Sequence, residues 1–151
     1  MAKGLNLSRT AQLANIRIKY EGEVFKFNLF EEVKITERLL EMEIKEQPSY
    51  YGFLTLLQKK LLTRFEDLKL ERKKVEGTLF LQFKQEKGAN GRPMTDDMAK
   101  ASVLSHKDFI LASRACIKAK DDADTIWACV KAFEQRKDLL QTLSSNTRRR
   151  D

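Results

Sequence analysis

A chain of 151 residues is long enough for one domain and too short for two large ones. Charged residues make up 34% and hydrophobic residues 42%, a charge content that suits long helices with exposed faces better than a compact globule. Lys+Arg 29 against Asp+Glu 22 leaves +7, which speaks to partners rather than to fold. No apolar run approaches the roughly 18 residues of a membrane span, and Met1–Thr10 lacks the apolar core of a secretory signal. The expectation is no membrane contact and a cytoplasmic location.

The charge is unevenly spread. Residues 1–19 hold four basic and no acidic side chains, and residues 20–47 hold four basic and eight acidic. Residues 56–92 hold ten basic and five acidic, and residues 100–151 eleven and seven. An acidic segment of −4 thus precedes a basic body of +5 and +4. The body favours a polyanion, and the acidic segment suits a basic surface on a neighbour.

Residues 1–13 read as a loose basic arm. Ile16, Ile18 and Tyr20 then alternate with polar residues, as do Phe25, Phe27 and Leu29, with Glu21-Gly22 between the two runs. A period of two around a two-residue turn predicts a β-hairpin over residues 15–28. A lone hairpin is marginal in water, so it is expected to lie on a helix or on another subunit. From Glu31 the period becomes helical through Ile35, Leu39, Leu40 and Ile44, with a stop expected near Gln47 because the residue before Pro48 avoids helical angles.

Tyr50, Leu54, Leu57, Leu61, Leu68, Val75 and Leu79 follow at spacings of 4, 3, 4, 7, 7 and 4, a heptad seam with Arg64 and Arg72 at the gaps. A helix from Ser49 to about Lys84 is expected. Gly88, Gly91 and Pro93 break the pattern. Thr95 is placed as the N-cap of a last helix, with Asp96 and Asp97 facing its dipole. That helix carries Phe109, Ala112, Cys116, Ala119, Ala123, Ile126, Val130, Phe133, Lys137 and Leu140 at alternating spacings of 3 and 4, and fades near Ser144 into the exposed tail Arg148-Arg149-Arg150. Helices of this kind are about 50–70 Å long, and a short loop makes them an antiparallel hairpin. The fold class is therefore mainly α: a long helical hairpin with a short N-terminal β-hairpin, assembling as an oligomer. The organisation is an arm and β-hairpin over residues 1–30, a helical assembly domain over 31–145 and a basic tail over 146–151. Phe53, Phe65, Leu104, Ile110, Ile117 and Trp127 fall off the stripes and call for a further surface, most simply a second copy.

Catalysis finds no candidate residues. Ser105, His106 and Asp108 are near neighbours on a helix, where successive side chains point apart, so a triad is improbable and an exposed helical histidine is expected. One His and two distant Cys cannot make a zinc tetrad. Asp121, Asp122 and Asp124 lack the Gly turn and terminal Glu of a calcium loop, and Gly88–Arg92 lacks the Gly-Lys-Ser/Thr ending of a phosphate loop. No metal and no cofactor is expected. Cys116 and Cys129, 13 residues apart on one helix, are too far apart to pair within it and read as free buried thiols.

The remaining signal is cationic. Lys59, Lys60, Arg64, Lys69, Arg72, Lys73 and Lys74 lie along one helix, and Arg148, Arg149 and Arg150 form a second cluster. Glu66, Asp67, Glu71 and Glu76 interrupt the row, so a solvated, self-paired face is the alternative. Repetition of the row in an oligomer multiplies phosphate contacts. Tyr20, Phe25 and Phe27 beside Arg17, Lys19 and Lys26 suit base stacking or, more simply, packing against the helices.

An acidic short helix, then a long basic helix with Leu70-Glu-Arg-Lys-Lys74, then a Gly-rich break and a long helix ending in Phe133-Glu-Gln-Arg-Lys-Asp-Leu-Leu140 make up an order of elements over residues 31–145. This order resembles the UvsY-like recombination mediators of tailed phages. The resemblance implies a ring-forming helical protein of the bacterial host cytoplasm that binds single-stranded DNA. It also implies one that helps displace a single-strand-binding protein and loads a RecA-like recombinase. The family's DNA-contacting cations fall on Arg72, Lys73 and Lys74, and its assembly helix on residues 109–143. The hairpin at residues 15–28 is a departure from that pattern.

The reading is a non-enzymatic mediator that binds single-stranded DNA through the lysine and arginine row and the arginine tail. It self-associates through Phe109, Ala112, Cys116, Ala119, Ile126, Val130, Phe133 and Leu140. The alternative is a structural or scaffolding phage protein whose basic face meets an acidic protein.

Overall fold

The computed structural model describes residues 14–86, 88 and 91–149, with Glu37 and Arg148 described by backbone alone. The arm expected at residues 1–13, the loop positions 87, 89 and 90, and Arg150 of the tail lie outside these residues. The elements are β1 (Asn15–Tyr20), β2 (Glu23–Asn28), α1 (Leu29–Val33), a 3-10 turn (Glu37–Leu39), α2 (Leu40–Gln85), α3 (Asp96–Ser105) and α4 (Lys107–Arg148). The chain is mainly helical with one two-stranded antiparallel sheet, as its periodicities predict. Its residues fall into two compact units, Met1–Lys59 with Asp124–Asp151 and Lys60–Ala123.

In the first unit, β1 and β2 pair in the register Asn15↔Asn28 through Tyr20↔Glu23. Glu21 and Gly22 both take positive φ, 49° and 86°, as a two-residue hairpin turn whose twist matches that of its strands requires. Ile16 and Ile18 are buried, and Phe25 and Phe27 half-buried. Phe25 meets Phe53 of α2 with ring centroids 5.6 Å apart, so the hairpin packs on this chain's own helix. The Asn28 side chain then caps α1, accepting from the backbone N–H of Phe30 and Glu31.

The expected stop at Gln47 does not occur, because α2 runs through Pro48. Proline there removes one backbone donor and disfavours the helical geometry of the preceding turn. Contacts on both sides outweigh that cost. Before Pro48, Gln47 donates to the Phe133 carbonyl at 2.8 Å and accepts from Arg136. After it, the Tyr50 ring stacks on Phe133 with centroids 6.0 Å apart and Leu54 is buried. Pro48 and Ile44 are exposed, and the Ile44 carbonyl is left without its helical partner.

On α4 the core stripe of this unit passes through Ile126, Cys129, Val130, Phe133, Arg136 and Leu140. Lys137, placed on the seam by spacing, is exposed. Arg136 takes the seam position because Glu43 waits opposite: its Nη2 lies 3.1 Å from Glu43 Oε2 and 3.5 Å from the Lys34 carbonyl. Glu43 Oε1 also accepts from the Thr36 N–H at 2.8 Å.

In the second unit Leu61 and Leu79 of α2, Ala99 and Val103 of α3, and Cys116, Ala119 and Ala123 of α4 are buried. Thr95 caps α3 as expected, accepting from the Met98 N–H at 3.3 Å. Lys84 holds the entry to that helix, donating to the Met94 carbonyl and pairing with Asp96 at 2.9 Å.

The single last helix expected from Thr95 is instead two helices that meet at His106. The His106 N–H closes α3 on the Val103 carbonyl, and its own carbonyl accepts from Ile110 to open α4. Its Nδ1 accepts from the Asp108 N–H at 3.2 Å, which satisfies an otherwise orphaned donor of the first turn. The ring is half-buried and meets Phe83 edge-on at 6.0 Å. An imidazole that caps one helix and packs on another favours the break over continuity. The histidine is therefore a helix junction rather than an exposed helical residue, and Ser105 turns its hydroxyl to the carbonyls of Ala101 and Ser102.

The residues expected to drive oligomerisation are occupied within the chain. Cys116, Ala119, Ile126, Val130, Phe133 and Leu140 are buried, and Phe109 and Ala112 are half-buried. Of the residues that fall off the stripes, Phe53, Leu104, Ile110, Ile117 and Trp127 are exposed and Phe65 is half-exposed.

The Glu43–Arg136 pair makes a sharp stability prediction. Its side chains are 10% and 7% exposed, and removing one partner strands the other charge, at about 3–5 kcal/mol. Arg136→Met is expected to lower the unfolding free energy by about that amount, while Glu43→Met/Arg136→Met recovers most of it. Urea unfolding of the two variants checks this. A double variant no more stable than the single one contradicts it.

Candidate nucleic-acid interface

Successive residues on an α-helix are about 100° apart, and this geometry does not keep the seven cations of α2 on one face. In the second unit Lys69 and Lys73 share one flank of the buried stripe, while Lys60, Arg64 and Lys74 fall on the opposite flank. Lys60, Arg64, Lys73 and Lys74 are exposed. Arg72 stands on the stripe itself: it is half-buried, and its Nε is shielded from solvent without a hydrogen-bond partner. Lys59, also exposed, belongs to the first unit. Of the arginine tail, Arg149 is exposed in a turn after α4, Arg148 is described by backbone alone, and Arg150 lies outside the described residues.

Lys69 and Lys74 are paired along the helix. Lys69 Nζ lies 3.3 Å from Glu66 and Lys74 Nζ 2.9 Å from Glu71. The hydrogen bond and charge of Glu71 raise the Lys74 ammonium above the usual lysine range. Both pairs are exposed i,i+3 contacts, which exchange readily with solvent and with a phosphate. The continuous face anticipated from sequence is thus split by the helix period and partly self-neutralised.

The flank of Lys69 and Lys73 gains what the sequence row lacks. Phe65, half-buried one turn before Lys69, carries the Lys69 ammonium 5.7 Å from its ring centroid. Lys120 of α4 places its ammonium at the same distance from that ring. Two cations within about 6 Å of one aromatic ring are both attracted by its electron-rich face. Three lysines and a ring from two helices thus share one side of this unit. Sequence reasoning missed Lys120 because 55 residues separate it from Phe65, and only tertiary packing brings the two together.

A related arrangement stands in the first unit. Trp127 is exposed with the Lys131 ammonium 5.4 Å from its ring centroid. Lys131 also bonds Glu134 at 2.7 Å, and Glu134 accepts from the Tyr51 hydroxyl at 3.1 Å. These two donors hold the Glu134 carboxyl below the usual range, and the hydrogen bond to Glu134 lifts the Lys131 ammonium. The aromatics of the hairpin take another role: Phe25 and Phe27 help line a cleft of about 200 Å³ with Tyr50, Phe53 and Phe133. They pack against the helices and do not stand out as stacking platforms.

Among the described residues no group of three or more His, Cys, Asp or Glu side chains is placed to hold a metal ion. No described helix is long and apolar enough to cross a membrane. Compared with protein-family models, curated proteins and solved structures, the chain matches none.

Cys116 and Cys129 are both free and buried. Desolvation pushes the Cys129 thiol up to about 11, which leaves almost no thiolate, the reactive form, near neutrality. Neither thiol is expected to react with a disulfide reagent at pH 8 in the native protein, and both should react in denaturant. Rapid native labelling of Cys129, read by mass spectrometry, is the contrary result.

Proposed function

We propose that the chain is a non-catalytic protein that binds single-stranded DNA as a homo-oligomer and acts as a recombination mediator. The observation that carries the DNA-binding part is the Phe65 ring with the Lys69 and Lys120 ammonium groups each 5.7 Å from it. Lys73 lies one turn further along the same flank. Phosphate contacts supply affinity without reading sequence, and an aromatic ring among cations is the arrangement on which unpaired bases stack. Arg72 is assigned a packing role on the stripe instead of a phosphate contact. The mediator role follows the resemblance of the element order to UvsY-like proteins. It predicts that the protein speeds assembly of a RecA-like recombinase on DNA coated with a single-strand-binding protein.

The test is fluorescence anisotropy with a short labelled oligonucleotide across a salt series. Lys69→Ala/Lys73→Ala/Lys120→Ala should weaken binding and reduce the salt slope by about 2, at about 0.7 per lost contact. Lys60→Ala/Lys74→Ala, on the opposite flank, should change the slope much less. Coincident slopes for wild type and the triple variant overturn this site. Absence of binding at low salt overturns the mediator reading in favour of a scaffold whose basic surface meets an acidic protein.

A further inference from the structure

The β-hairpin sorts its side chains by strand parity. Ile16, Ile18 and Tyr20 of β1 share one face with their partners Phe27, Phe25 and Glu23, and Ile16, Ile18 and Phe25 turn this face toward the core and α2. The opposite face carries Asn15, Arg17 and Lys19 of β1 beside Asn28, Lys26 and Val24 of β2. Arg17, Lys19, Val24 and Lys26 are exposed. Half of these outward positions are cationic and none is acidic. Glu21 is in the turn, and Glu23 falls on the inner face opposite Tyr20. The rings that lie next to these cations in sequence therefore face the other way. Arg17 and Lys26 are direct cross-strand partners. Like charges directly opposite one another destabilise a strand pair, whereas an unlike pair at the same positions stabilises it. Among the described residues neither Arg17 nor Lys26 forms an ion pair, so the fold makes no use of their charge.

We infer that this outward face, through Arg17, Lys19 and Lys26, is a second nucleic-acid contact, one that holds the phosphate backbone and reads neither the bases nor whether they are paired. Side chains two residues apart on a strand stand about 7 Å apart, and a directly opposite one about 5 Å away, so the three cations form a flat triangle that can meet neighbouring phosphates. The Arg17 fork can take two oxygens of one phosphate, and the lysines act as point charges. A two-stranded ribbon is narrow enough to follow a single strand or a duplex groove. A lipid surface would also engage apolar side chains, and Val24 is the one apolar residue on this face. The Phe65 flank offers a ring to unpaired bases; the hairpin face offers none, so it should hold duplex and single strand alike. The inference shares with the proposed function only the nucleic-acid ligand. It does not depend on the Phe65 flank, because these three cations belong to the first unit.

The experiment is fluorescence anisotropy across a salt series with a labelled single strand and with the corresponding duplex. Arg17→Thr/Lys19→Thr/Lys26→Thr keeps residues that suit a strand. It should lower the salt slope by about 2 on the single strand and about 3 on the duplex, at about 0.7 and 0.9 per lost contact. Lys26→Glu sets an unlike charge opposite Arg17, so it should raise the urea midpoint while weakening binding to both ligands. Lys45→Glu, exposed on α2, changes the net charge equally and should weaken binding much less. Slopes that coincide with wild type on both ligands, a loss confined to the single strand, or a Lys45→Glu effect as large as that of Lys26→Glu overturns the inference. So does Lys26→Glu with a raised midpoint and wild-type affinity, the behaviour of a merely solvated face. Wild type that binds phosphatidylglycerol vesicles and neither oligonucleotide overturns it in favour of a lipid surface. Lys69→Ala/Lys73→Ala/Lys120→Ala, measured alongside, separates the two sites. If that variant matches wild type while the hairpin variant loses slope, the Phe65 flank alone is removed; the converse removes the hairpin face alone.

Discussion

The guanidinium of Arg136 joins residues 34–47 to a part of the chain 89 to 102 residues away. It pairs with Glu43, bonds the Gln47 side chain and reaches the Lys34 carbonyl. Glu43 in turn holds the Thr36 N–H, and Gln47 holds the Phe133 carbonyl. The first unit is organised around this network: it sets α2 against α4, ties down the segment after α1, and carries α2 through Pro48. A buried ion pair costs desolvation energy and adds stability only when its hydrogen bonds are complete. Here Arg136 Nε is left without a partner, so the network specifies register more than it strengthens the fold. An apolar pair would slide along the seam, whereas a charge with one acceptable partner does not.

The second unit is held differently. Its buried side chains are largely small, with Ala99, Cys116, Ala119 and Ala123 against Leu61, Leu79 and Val103. Small residues allow close helix approach but bury little apolar area each, and hydrophobic stabilisation scales with that area. The unit supplements its core with directional contacts at its ends: the Thr95 cap, the Lys84 contacts with Met94 and Asp96, and the His106 junction against Phe83. The same shortage of large buried residues leaves Leu111 and Ile117 outside.

Cations on a helix illustrate the same separation. A row that looks continuous in sequence wraps around the axis, and Arg72 ends on the buried stripe while its neighbours Lys73 and Lys74 end on opposite flanks. What concentrates charge is the approach of a second helix, which brings Lys120 as close as Lys69 to one phenylalanine ring.

Much of the fold was legible in sequence because the relevant physics is local. The hairpin follows from alternation of Ile16, Ile18, Phe25 and Phe27 about Glu21-Gly22, and the cap of α3 from Thr95 followed by two aspartates. The seams follow from 3–4 spacing, since a helix turn repeats within a few residues. Four features needed tertiary structure. Pro48 is a reliable local breaker, yet partners 86 and 89 residues away, at Phe133 and Arg136, hold the helix through it. Lys137 and Arg136 fit the seam equally well by spacing, and only the carboxylate of Glu43 opposite decides which turns inward. The break at His106 and the Lys120–Phe65 contact depend on which side chains meet across helices, which no periodicity encodes. Sequence by itself determined the β-hairpin, the helical character of the rest and most of the apolar seam positions, but not the helix joins at Pro48 and His106. Tertiary structure decided which polar residues could be buried and which cations stand together, because desolvation and charge pairing act through space between residues far apart in the chain.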